Sequence, residues 1–113
     1  MKPYTVITIG YMLLITLLSH VPQEVLPKYD SIDYPFHFAE YSILGFLLFR
    51  SITSDELLTF NPFYGSLLIG ISFAILDEFH QSFVQGRHMS STDVLFDSLG
   101  IVFGMFASYK TRN

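Results

Sequence analysis

Four apolar stretches alternate with three polar connections along the 113 residues of the chain. Tyr4–Leu18 is nearly uninterrupted, Phe36–Ile52 holds few charges, Phe60–Leu76 has none, and Val94–Tyr109 contains only Asp97. A helix that crosses a bilayer needs ~20 mostly apolar residues, which each stretch reaches once its polar flank is counted. The pattern therefore predicts helices at about 4–20, 34–52, 60–81 and 93–110. The expected fold class is all-α: one domain over residues 1–113, an integral membrane four-helix bundle with short loops. The first connection, Ser19–Pro35, carries Pro22, Pro27 and Pro35 with Glu24, Lys28, Asp30 and Asp33, so no continuous helix fits it. Arg50–Asn61 is the second, and Pro62 suits the first turn of the helix that follows. Gln81–Thr92 is the third, with Thr92 or a neighbour placed to cap the last helix.

Composition narrows the class. Half of the residues are hydrophobic, 14% are charged and the mean hydropathy is +0.43, too apolar for a soluble domain of this size and for a disordered chain. The absence of cysteine excludes disulfides, thiolate catalysis and cysteine metal sites. A formal charge of −4 with no basic stripe argues against nucleic acid as a partner. The first stretch is read as a retained helix, because Lys2 is the whole of its basic flank and Ser19-His20-Val21-Pro22 lacks a small-residue cleavage pattern.

The short loops also carry an orientation signal. Lys2, Arg50, Lys110 and Arg112 fall on one side and Lys28 and Arg87 on the other, which places both termini in the cytoplasm. The start of the second helix, the end of the third and the start of the fourth then share the outer face.

Those three ends carry the polar chemistry. Asp33, His37, Glu40 and Tyr41 follow helical spacing on one stripe. Interfacial anchoring explains Asp33, His37 and Tyr41 without any function, but Glu40 lies nearly two turns deeper than Asp33. Asp77, His80 and Gln81 share a face of the third helix, while Glu78 points ~100° away, so one acid should face the cluster more directly than the other. Carboxylates near bilayer depth usually face a bundle interior or a wet cavity, which makes Asp77 and Glu78 candidates for acid–base work and His37, Glu40 and His80 their companions. The simpler alternative is that this segment has left the membrane and is solvated. Arg87 suits either an anionic ligand or a neighbouring acid, through its planar fork. Asp93 and Asp97 are one turn apart, and Gly100, Gly104 and Ser108 continue their stripe. Asp93 fits a cap, Asp97 lies deeper, and the two glycines suit close packing within the bundle or between chains.

No cofactor motif is present. His37-x-x-Glu40 and Asp77-x-x-His80 leave a metal open as an alternative, since imidazole with carboxylates suits zinc, iron or manganese. No nucleophile elbow, P-loop or dinucleotide fingerprint occurs.

Taken together, Asp77-Glu78-Phe79-His80-Gln81, Gln85-Gly86-Arg87, Asp93-Val94, Asp97 and the spaced Gly100 and Gly104 resemble the VanZ-like membrane proteins, as does His37-Phe38-Ala39-Glu40-Tyr41-Ser42-Ile43-Leu44-Gly45. The resemblance spans roughly Asp33 to Gly104. Two departures make this chain more acidic: Asp97 stands where the family commonly has Asn, and Tyr34 where Lys often follows the acid. The resemblance implies a small multi-pass protein of the bacterial plasma membrane, from a group whose name-giving member is linked to resistance to teicoplanin-type glycopeptides. Some relatives carry a phosphotransbutyrylase label, for which the residues here give no support.

The functional expectation is an outward-facing site for an envelope lipid or lipid-linked cell-wall precursor. Asp77, Glu78, His37, Glu40 and His80 would do any acid–base chemistry, and Arg87, Gln81, Asp33, Tyr41, Asp93 and Asp97 would bind the ligand. Whether the site is catalytic stays open. The alternatives are a scaffold or interaction protein whose polar cluster is structural, and a metal-binding or transport protein. Expected partners are the lipid bilayer, the lipid or precursor ligand, and a second copy packed through Gly100 and Gly104.

Overall fold

The computed structural model describes the backbone of residues 3–19, 30–55, 59, 61–81, 83 and 91–111, and the side chains of these residues except 18, 19, 30–36, 81 and 91. Four helices make up nearly all of it: α1 (Pro3–Ser19), α2 (Asp30–Ser54), α3 (Pro62–Gln81) and α4 (Ser91–Thr111). No strand occurs among the described residues, and the fold is all-α.

The helix boundaries have local causes. Asn61 caps α3, its side-chain oxygen accepting from the backbone N–H of Phe63 at 3.0 Å and of Tyr64 at 3.2 Å, and Pro62 fills the first helical position where no donor is needed. The helix thus starts two residues after the expected Phe60. α2 departs further from expectation, because it begins at Asp30 and includes Pro35. Pro35 sits at the second turn, where it forgoes one hydrogen bond to the Ser31 carbonyl without interrupting the apolar helix beyond it. At the other end α2 continues to Ser54, two residues past the expected end at 52, so Arg50 lies inside the helix.

Hydrogen bonds and ring contacts define an up-down-up-down bundle. Residues paired between α2 and α4 keep a nearly constant separation in sequence, His37 with Asp97 and Arg50 with Ser108, so these helices run parallel. Tyr41 with Asp77 and Phe49 with Phe63 make α3 antiparallel to α2, and Tyr11 with Glu40 and Thr5 with Asp55 do the same for α1. α2 touches all three other helices and packs most extensively on α4.

The α2–α4 seam depends on glycine. A Cβ at Gly45 would overlap the Ile101 carbonyl, one at Gly100 the Phe38 carbonyl, and one at Gly104 the Ser42 carbonyl. Only residues without side chains allow two helical backbones to approach this closely. Of the two uses expected for Gly100 and Gly104, packing within the bundle is the one observed. Beside the seam, Ile15, Tyr41, Leu44, Leu48, Phe49, Ala74, Ile101 and Met105 form the core.

The rest of the bundle is polar inside and apolar outside. Thr5, Ser51, Asp55, Ser66, Asp77, Glu78, Asp97 and Ser108 are buried, while Leu13, Leu17, Leu68, Leu76 and Phe103 are exposed. Large exposed apolar surface marks contact with something other than water. Among the described residues one helix, Pro62–His80, is long and apolar enough to cross a membrane, and Pro3–Leu17 is apolar but shorter.

Candidate functional site

The up-down-up-down arrangement brings the start of α2, the end of α3 and the start of α4 to one end of the bundle. His37 and Tyr41, one turn apart on α2, reach different neighbours. His37 Nδ1 meets Asp97 Oδ1 of α4 at 2.9 Å. Tyr41 donates its hydroxyl to Asp77 Oδ2 of α3 at 3.2 Å, and both residues are buried.

Glu78 follows Asp77 directly, so its side chain leaves α3 in a direction ~100° from that of Asp77. Both are buried nonetheless, because α2 and α4 both pack on α3 at this level. Asp77 is held by α2 through Tyr41, whereas Glu78 converges with His37 and Asp97: one ligand atom from each of the three lies within 4.8 Å of the others. The expectation that one acid would face the cluster more directly is thus resolved in favour of two separate partners.

Charge is unevenly distributed here. Asp77, Glu78 and Asp97 are all buried, and His37 pairs with Asp97. Two like charges 4 Å apart repel by about 4 kcal/mol at an effective dielectric constant of ~20, so buried acids this close need compensation from shared protons, hydrogen bonds or cationic partners. Asp97 makes the imbalance concrete. One of its oxygens meets His37, while Oδ2 is buried and has no hydrogen-bond partner among the described residues.

The remaining candidates fall around this centre. Glu40 is half-buried on α2, and its main-chain carbonyl accepts from the Tyr11 hydroxyl at 2.8 Å. Asp93 is half-buried at the start of α4. His80 is exposed and does not join the converging set, so neither i, i+3 pair considered for a metal converges as a pair; His37 alone of those four belongs to the set. Asp33 and Gln81 lie on helices, but their side chains, and Arg87 altogether, fall outside the described residues.

A second polar cluster, at the opposite end, was not anticipated. Arg50 donates from Nε to Ser108 at 2.9 Å, from one terminal nitrogen to the Tyr4 hydroxyl at 3.3 Å and from the other to Thr111 at 2.7 Å. Its guanidinium also lies over the Phe46 ring, 4.8 Å from the centroid. Beside it Thr5 donates to Asp55 at 2.8 Å and is 2.6 Å from the Ser51 hydroxyl. Thr5 has a single proton, already given to Asp55, so Ser51 must be the donor in the second bond. The available signal was Ser108 on the Gly100–Gly104 stripe, with Ser51 near the end of α2 and Asp55 four residues on, just past it.

The structure therefore defines an all-helical four-helix bundle with a buried acid–imidazole cluster at one end and a hydrogen-bonded arginine cluster at the other. The sequence model of the VanZ/LLP1 family matches residues 5–111, and the chain belongs to that family. No curated protein and no solved structure matches it.

Proposed function

We propose that this VanZ/LLP1 family member is a multi-pass protein of the bacterial plasma membrane, with both termini in the cytoplasm, that binds or processes an envelope lipid or lipid-linked cell-wall precursor at its outer face. The convergence of His37, Glu78 and Asp97 from three helices carries the proposal. Buried ionisable groups in an apolar bundle are retained where they serve a ligand or a proton. The apolar exterior and the candidate span Pro62–His80 support the membrane setting. In a catalytic form, Glu78 acts as acid or base and the His37–Asp97 pair relays the proton, with Arg87 on the anionic head of the substrate.

Expression in a teicoplanin-susceptible bacterium tests this. The wild-type chain should raise the inhibitory concentration, and Glu78→Gln and Arg87→Ala should each abolish that rise at unchanged protein level. Wild-type behaviour in both variants removes the site.

One observation favours a second reading. The Tyr41–Asp77 bond is buried between two helices and is well placed to fix their register. If the whole cluster is structural, its variants lose the folded protein together with the phenotype, and thermal melting in detergent separates the two.

A further inference from the structure

We propose that His37, Glu78 and Asp97 form a binding site for one divalent transition-metal ion, zinc or manganese by the chemistry of the donors. The three residues come from three different helices and present one imidazole nitrogen and two carboxylates, with a ligand atom of each within 4.8 Å of the others. Atoms bound to one metal at ~2.0–2.2 Å sit roughly 3–4 Å apart. His37 Nδ1 and Asp97 Oδ1, at 2.9 Å, already have close to that spacing, and Glu78 needs only a small side-chain adjustment to complete the set.

Asp97 Oδ2 supplies an independent observation. It is buried on a fully buried residue and accepts no hydrogen bond from any described residue. A carboxylate oxygen left in that state carries its full desolvation penalty, which a cation removes. The donor set agrees with this: two carboxylates and one imidazole are ligand types that divalent transition metals take. The nitrogen donor favours zinc, the two carboxylates also suit manganese, and magnesium and calcium take oxygen ligands. His37 is the more open of the paired donors, its side chain 18% exposed against 1% for Asp97. Three protein ligands leave coordination positions open, which an anionic oxygen can occupy.

Metal binding goes beyond the lipid reading and is tested without any lipid. The full chain in detergent, stripped with a chelator and dialysed against Zn²⁺ or Mn²⁺, should retain about one ion per chain and melt at a higher temperature with the metal than without it. Asp97→Asn, which keeps the shape of the side chain, and His37→Gln should each weaken binding by at least ~10-fold, while Thr5→Val at the opposite end should leave it unchanged. X-ray absorption at the metal edge of the wild-type protein requires no variant, and should show an imidazole nitrogen together with carboxylate oxygens. No retained ion, retention undiminished in both site variants, or a shell of water oxygens alone overturns the site. Loss of the teicoplanin phenotype in Glu78→Gln alongside absent metal binding would sink the metal and leave the lipid proposal standing.

Discussion

At one end of the bundle a single arginine is met by three hydroxyl oxygens, and a single aspartate by a threonine. At the other, three carboxyl groups are buried, one of them paired with an imidazole, and a carboxylate oxygen is left without a hydrogen bond among the described residues. The same helices, α2 and α4, supply both ends, so the difference does not come from the scaffold. A cluster that satisfies its donors and balances its charge is what register and stability require. Buried like charge works against stability, and groups of that kind concentrate at sites of binding or proton transfer.

The largest effect expected is from cutting the seam that carries both ends. Gly104→Leu drives a side chain into the Ser42 carbonyl and the Phe46 backbone, neither of which can rotate away. Overpacking typically costs ~1–3 kcal/mol, and a clash with backbone belongs at or above the top of that range. Size-exclusion chromatography and thermal unfolding in detergent should show loss of the folded monodisperse protein. A stable Gly104→Leu variant would mean that the two helices are further apart than described.

Next comes the balanced end. Arg50→Met keeps much of the aliphatic stem but removes three hydrogen bonds, and should cost about 2–3 kcal/mol, read as a lower melting temperature. The protein that remains folded should keep its activity, and full stability with lost activity would overturn the contrast between the ends. Thr5→Val is the smaller change at this end. It removes one donor to Asp55 and the acceptor used by Ser51, for about 1–2 kcal/mol by the same measurement.

The sequence already showed much of the acidic end and almost none of the other. Four apolar stretches are a strong signal, and the all-α bundle follows from them. His37, Asp77, Glu78 and Asp97 stood out because charge in an apolar helix is rare enough to be conspicuous. What spacing along a helix did not show was which partner each would choose: that Asp77 pairs with Tyr41 while Glu78 turns to His37 and Asp97 depends on how α3 sits against α2 and α4. The arginine end was missed for a different reason. Threonine and serine within apolar helices usually bond back to the preceding turn, as Thr16 does to the Met12 carbonyl at 3.0 Å, so Thr5, Ser51 and Ser108 looked unremarkable. Arg50 stood near the end of the expected helix and read as a topology charge, because helix termini are the least legible part of a hydropathy pattern.

The smallest effect expected is also the one that best divides the two ends. Tyr41→Phe keeps the fully buried ring and its packing on Phe73, whose centroid lies 6.3 Å away, and deletes only the hydroxyl that reaches Asp77. At 3.2 Å that bond is long for an O–H donor, so its loss should lower stability by only ~0.5–1 kcal/mol. If the acidic end is a working site, activity should fall far more than stability, because the hydroxyl helps to hold Asp77 at the edge of the cluster. Melting temperature and teicoplanin phenotype measured on the same preparation give the two numbers needed. A stability loss as large as that of Thr5→Val with the phenotype intact would make both ends structural, and the difference between them one of composition alone.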